Sequence, residues 1–293
     1  MKKIFLPSAQ NTKPAKKGTL FVVGTPIGNL GDLTRRAIET LASVHLIACE
    51  DTRHTKKLCL HLGLKTPLIS YYRGKEQEKS DILVQMLCAG KDVALVSDAG
   101  TPALSDPGAI LVRKARLAGI EIVAVAGPSA LTAAISIAGL PLTQFFFAGF
   151  PPANKQEKKR LFDSVSTLPY PLVFYEAPHR INTTLSTMIE CFGDRQAVLL
   201  RELTKIHEEC IEGTLSTLSS HLQKGVKGEL VLIVFAAEGA FVDKPENLDE
   251  LLCWYRDTQQ TSLKDAVQSI ASNLRLPRTE VYKKALSIWK ERD

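Results

Sequence analysis

The sequence lacks the short signatures that most quickly betray a protein's chemistry. Six cysteines stand at positions 49, 59, 88, 191, 210 and 253, and none forms a C-x-x-C pair. That spacing offers neither a zinc ribbon nor a redox dithiol, and it is the usage of reduced thiols in a cytoplasmic protein. His45, His61 and His221 are isolated, while His54, His179 and His207 lack metal-ligand spacing, so no metal is expected. No run of 18 apolar residues occurs, which excludes a conventional membrane-spanning helix. The N-terminus lacks the continuous apolar stretch that a secretory signal needs. G-x-x-x-x-G-K-[ST] and G-x-S-x-G are absent, and the first strand is followed by Gly24-Thr-Pro-Ile-Gly28 rather than G-x-G-x-x-G. These absences exclude a phosphate loop, a hydrolase nucleophile elbow and a conventional dinucleotide site.

What is present is ordinary in bulk. The 293 residues are 45% hydrophobic and 23% charged, a globular composition with chain enough for two domains or one large one. The net charge of +6 is unevenly placed. Lys2, Lys3, Lys13, Lys16 and Lys17 precede residue 18 with no acid among them, and the rest of the chain is close to neutral. Residues 1–17 read as a disordered basic tail, either an arm for nucleic acid or a solubilising terminus.

The chain is organised around the stretch from Val93 to Gly108. An apolar run, Val93-Ala-Leu-Val96, ends in Ser97-Asp-Ala-Gly-Thr-Pro102 and then Ser105-Asp-Pro-Gly108. This predicts a buried strand, a long polar turn and a helix over 109–117 capped by Ser105 or Asp106. Residues 18–126 alternate strands with helices, including one after Asp32, the expected N-cap, with Leu33, Ala37, Ile38 and Leu41 on one face. That is an α/β domain with a largely parallel sheet. Residues 127–240 predict a second α/β domain whose closer strands suit a mixed sheet. Residues 241–293 hold a linker and a helical module. Leu263, Ala266, Val267, Ile270, Ala271 and Leu274 follow helical spacing, and Pro277 opens a second helix with Val281, Ala285, Ile288 and Trp289. Its excess of Lys and Arg suits a helix-turn-helix on nucleic acid, or a hairpin packed on a protein.

Loops rich in Gly, Pro, Ser and Asp fall at strand ends, at 24–32, 97–108, 127–130, 176–180 and 201–205. Ligands collect outside the carboxyl ends of parallel strands, and a cleft between two α/β domains is where such loops meet. Ala99 and Gly100 are small enough for a ligand to approach the backbone.

Five of these stretches, Gly24-Thr-Pro-Ile-Gly-Asn-Leu-Gly-Asp-Leu-Thr-Arg-Arg-Ala37, Ser97-Asp-Ala-Gly-Thr-Pro-Ala-Leu-Ser-Asp-Pro-Gly108, Gly127-Pro-Ser-Ala130, Phe174-Tyr-Glu-Ala-Pro-His-Arg180 and Arg201-Glu-Leu-Thr-Lys205, stand in a familiar order. Over roughly residues 18–240 the chain closely resembles the bacterial cytidine 2′-O-methyltransferases of small-subunit (16S) ribosomal RNA, within the tetrapyrrole methylase superfamily. The helical module resembles the helix-turn-helix appended in that family.

The resemblance implies a two-domain class III methyltransferase fold, unlike the classical Rossmann methyltransferases. It implies S-adenosylmethionine folded into the interdomain cleft, a homodimer in the cytoplasm, no membrane, and the small ribosomal subunit near its decoding region as partner. Carried over residue by residue, it places Pro26, Ser97, Asp98, Ala99, Gly100, Thr101, Leu104, Ser129, Ala130, Glu176 and Leu203 at the cofactor. Asp98, Glu176 and Arg201 are the expected catalytic residues, with Glu50, Asp51 and Glu202 as further candidate bases. Arg53, Arg180, Arg201 and Lys205 are candidates for phosphate or ribose, and each of these charges has an ion pair between loops as its other reading. Tetrapyrrole-modifying members carry Gly-Gly-Asp-Pro where this chain has Ser-Asp-Ala-Gly-Thr-Pro, which argues against a tetrapyrrole acceptor. The rival functions are a tetrapyrrole methyltransferase and a non-catalytic RNA-binding assembly factor.

Overall fold

The computed structural model describes residues 16–140, 144–236, 248–257, 261–274 and 276–290. Most of the expected basic tail, the expected linker and Arg275 lie outside the described residues. One compact unit ends at Phe235 and a second begins at Ala236.

The first unit opens with strand β1 (Thr19–Val23), helix α1 (Arg35–Ser43), β2 (Leu46–Cys49), α2 (Thr52–His61), β3 (Leu68–Ser70), α3 (Glu76–Cys88), β4 (Val93–Val96), α4 (Ala109–Leu117) and β5 (Glu121–Val125). These strands form an all-parallel sheet of order β3-β2-β4-β1-β5. All four residues of the central strand, β4, are buried, as the continuous apolar run of a parallel strand covered on both faces requires. Helices cover both faces, Leu83, Leu87 and Leu111 packing on one and Ala37 and Leu41 on the other.

Helix α5 (Ala130–Ile137) leads into β6 (Phe146–Gly149), α6 (Lys155–Val165), β7 (Leu172–Glu176), α7 (Ile181–Phe192), β8 (Gln196–Arg201), β9 (Glu209–Thr214), α8 (Leu215–His221) and β10 (Leu230–Val234). The second sheet is mixed, with order β6-β7-β10-β8-β9 and only β6 and β7 parallel. One face packs under α6 and α7 around Phe162, Phe174 and Phe192. The other receives Leu131 and Ala134 of α5, together with Ile27 from the loop after β1. That shared core fastens the two sheets into one unit.

Two expected caps are corrected. Asp32 closes a single 3-10 turn, Leu30–Asp32, and Thr34 caps α1, its Oγ1 accepting the N–H of Ala37 at 3.1 Å. Neither Ser105 nor Asp106 caps α4. The residue before that helix is Gly108, and its N–H donates to the Glu76 carboxylate of α3 at 2.9 Å. The loop runs on to Gly108, two residues past Asp106, which leaves both expected side chains outside the capping position.

The second unit holds α9 (Leu248–Asp257), α10 (Leu263–Leu274) and α11 (Arg278–Lys290), closed around Leu252, Val267, Ile270, Val281 and Ala285. Helix α10 and the helix after Pro277 match expectation, and α9 joins them as a third. No helix among the described residues is long and apolar enough to cross a membrane.

Candidate active site

The loops after β1 and β4, neighbours in the first sheet, are stitched by an antiparallel bridge. Thr25 and Gly100 exchange N–H to carbonyl bonds of 2.9 and 3.0 Å. The Ser97 hydroxyl is turned inward and donates to the Ala99 carbonyl at 3.1 Å. Gly24 lies so close to Gly127 that a Cβ on Gly24 would sit 2.9 Å from the Gly127 Cα, and only glycine permits that approach. Three strand-end loops thus converge on one point.

There they wall a cavity of about 330 Å³. Asp98, Ala99, Gly100, Thr101 and Leu104 line one side, Ser129 and Ala130 the base of α5, and Glu176 and Leu203 the opposite side. Nine of the eleven expected cofactor residues therefore gather in one place. Pro26 and Ser97 do not line it; they border a second cavity behind the same loop. Cavity walls outside the expected loops and candidate bases are Phe150, Tyr175 and Gly228 to Val231. Phe150 is half exposed and lies against the Tyr175 ring at 5.4 Å. The Tyr175 hydroxyl accepts the N–H of Leu131 at 3.0 Å, fixing the start of α5.

The cavity is acidic. Burial raises the Glu50 carboxyl above its ordinary value, helped by the charges of Asp106 and Asp98. Burial likewise raises Asp106, with Asp98 adding to it and a hydrogen bond to Ser97 opposing it. Arg73 opposes both shifts while its guanidinium donates to the Ser105 carbonyl. Among the described residues no three His, Cys, Asp or Glu side chains converge to hold a metal ion. A ligand carrying positive charge and small enough to lie against Ala99 and Gly100 suits these walls.

The three expected catalytic residues separate. Asp98 borders both cavities, and its carboxylate accepts the N–H of Asp51 at 3.0 Å. Glu176 borders the first, but its side chain is fully buried. Its carboxylate accepts from the Thr184 hydroxyl and the Ala177 N–H and pairs with Arg180 at 3.4 Å, while Thr184 also accepts from buried Lys158. Strand alternation explains this. Leu172, Phe174 and Glu176 of β7 face the core under α6 and α7, whereas Val173 and Tyr175 face the cleft. Arg201 borders neither cavity and pairs with Glu209 at 2.9 Å. Arg53 is exposed and forked onto Asp51, whose carboxyl that hydrogen bonding lowers to about 2. Arg180 donates to the Pro151 carbonyl.

The second cavity, about 670 Å³, is bounded by the 25–30 loop, by α2 and by Lys205. Lys205 bonds Glu202 at 2.7 Å and Glu229 at 3.1 Å. Its methylenes lie over Gly28, where a Cβ would come within 2.4 Å, and Gly28 itself has φ +153. The loop that carries Lys205 bends through left-handed backbone at Glu202 (φ 50) and Thr204 (φ 67). Sequence reasoning passed over the α2 wall, although His54, Lys57 and His61 stand at i, i+3 and i+7, one helical face.

The sequence profile of the tetrapyrrole (corrin/porphyrin) methylases matches residues 19–219. The chain is 47% identical over 224 residues to ribosomal RNA small subunit methyltransferase I of Xylella fastidiosa, covering 75% of this chain and 82% of that protein. It is 40% identical over 280 residues to the protein of that name from Vibrio cholerae, covering 93% and 96%. Among solved structures, a diphthine synthase superposes with a TM-score of 0.61 at 17% identity, covering 75% of this chain and 90% of the other. Uroporphyrin-III-C-methyltransferase from Thermus thermophilus gives 0.53 at 21% identity, covering 74% and 94%, and these two likenesses speak for the fold alone. On sequence and fold together, the chain belongs to the tetrapyrrole methylases, in the family of the ribosomal RNA small subunit methyltransferase I proteins.

Proposed function

We propose that this chain transfers a methyl group from S-adenosylmethionine to small-subunit ribosomal RNA, at the ribose 2′-hydroxyl of a cytidine near the decoding region. The relatives' name supports the RNA class. The cytidine, its 2′-oxygen, the homodimer and the cytoplasmic setting rest on the family resemblance. The observation that carries the reading is the double position of Asp98 and Ala99, which wall both cavities. A cofactor in the first and an acceptor in the second meet across one short stretch of backbone.

The residues of the first cavity fit the cofactor. Glu50, Asp98 and Asp106 suit its sulfonium and ammonium charges, and Ala99, Gly100, Leu104, Ala130 and Val231 suit its less polar parts. When bound, S-adenosylmethionine supplies an electrophilic methyl group on a sulfonium whose leaving group is a neutral thioether. A 2′-hydroxyl is a weak nucleophile, so the chain must orient it and accept its proton. Asp98 has the position for that work; Glu176, turned into the core, instead holds the 176–180 loop, and Arg201 holds the edge strand β9.

The test is methyl mapping of small-subunit ribosomal RNA from cells with and without the protein, followed by assays with purified protein. One ribose methyl is expected to disappear, and RNA with a 2′-deoxy acceptor should not react. Methylation of the 2′-deoxy RNA would move the methyl to a base. Methylation of a tetrapyrrole instead, or RNA binding without transfer, would establish one of the rival functions.

A further inference from the structure

Of the two cavities, the second is the larger and has a different chemistry. Its lining includes the apolar side chains of Pro26, Ile27, Leu30 and Leu58, and the face of α2 that carries His54, Lys57 and His61. All three of these polar residues are exposed. Among the described residues none of their side chains has a hydrogen-bond or ion-pair partner. The cations nearby differ in this respect, since Arg53 is held by Asp51 and Lys205 by Glu202 and Glu229. Lys57 is thus an uncompensated cation on a cavity wall. The helix is also fixed relative to the first cavity, because the Asp98 carboxylate holds the backbone of Asp51, the α2 cap.

We propose that the second cavity holds the acceptor nucleotide, displaced from its stack, with Lys57 binding an RNA phosphate and His54 and His61 flanking it on the same helix face. The proposal rests on the RNA methyltransferase reading above and deepens it. Apolar lining side chains suit the face of an unstacked base, and histidine is among the side chains on which such bases stack. Phosphate contacts fix register and orientation, which is what an in-line transfer requires of its acceptor. From His54 to His61 the helix rises about 10 Å, room for a nucleotide and its flanking phosphate. Lys57 is a binding residue in this scheme, and its charge, not its ability to donate or accept a proton in the reaction, is what counts.

The test compares Lys57→Glu, Lys57→Arg and Lys56→Glu in the full-length protein. Lys56 is exposed on the same helix but does not border the cavity. Methylation is followed on small ribosomal subunits from cells lacking the protein, and S-adenosylmethionine affinity is measured by calorimetry. Lys57→Glu should raise the KM for the subunit at least tenfold with cofactor affinity within twofold of wild type, Lys57→Arg should restore the KM, and Lys56→Glu should change it by less than threefold. An unchanged KM in Lys57→Glu, or an equal loss in Lys56→Glu, overturns the proposal. Calorimetry shows whether Lys57→Glu is still folded. Should that variant lose cofactor binding, Lys57→Ala, which adds no repulsion, takes its place under the same criteria. If wild-type protein methylates no small subunit at all, the functional reading fails instead, and the two failures are distinct.

Discussion

The Asp98 carboxylate and the Asp51 amide are joined by a 3.0 Å hydrogen bond that ties the loop after β4 to the start of α2. One oxygen of Asp98 is therefore structural, which leaves the other to face a ligand. Asp98→Asn keeps an oxygen for the Asp51 N–H while removing the basicity. A general base contributes about 10²- to 10⁴-fold to a rate. Turnover of Asp98→Asn should fall by about 10²-fold or more, with S-adenosylmethionine affinity changed far less. Single-turnover methylation alongside calorimetry checks this, and near-normal turnover would remove Asp98 from the chemistry.

The raised carboxyls of Glu50 and Asp106 give cofactor binding a pH dependence. A cationic ligand favours their ionised forms. Affinity for S-adenosylmethionine should therefore rise with pH above the ordinary carboxylate value of ~4, through the raised values, and then level off. In the free protein the sign is opposite. A raised folded-state value contributes stability that is present below the unfolded value and lost as pH rises through the folded one. Asp106→Asn should thus flatten the binding profile and stabilise the free protein against urea at neutral pH. Titrations from about pH 5 to about pH 8, with urea unfolding at both ends, test both signs.

The helical unit has its own apolar core, and Lys264, Arg278 and Lys283 add charge to it. Protein ending at Phe235 should bind S-adenosylmethionine with nearly the affinity of the full chain and associate more weakly with the small ribosomal subunit. Because phosphate contacts release counterions, the difference should be larger at ~50 mM salt than at ~200 mM. Equal subunit association at both salt concentrations would assign the unit a packing role.

Much of this arrangement is legible in the sequence because it depends on short-range rules. The buried run of β4, the polar loop after it and the 109–117 helix follow from residue type alone. The missed α9 was also legible, for Leu248, Leu251, Leu252 and Tyr255 repeat at helical spacing, but the acids and Pro245 before them draw attention to a linker. The orientation of Glu176 follows from alternation with Leu172 and Phe174, a pattern outweighed by its place at a strand end. Pairings across long separations are different in kind. Glu76 with Gly108 and Asp98 with Asp51 depend on how elements are ordered in space, which local pattern does not encode.

The bridge between Thr25 and Gly100 has a further consequence for how a ligand is received. Each loop would lose conformational freedom on binding if it were free beforehand, and side chains and loops ordered at a site cost affinity. Here the two loops are already one short ribbon, continuous with the centre of a buried sheet. Their ordering accompanies folding, so the wall common to both cavities stands ready as a template. The local openings that would distort it are coupled to unravelling of β1 and β4, the segments with most to lose, and its amides should rank among the slowest in the chain to exchange with solvent.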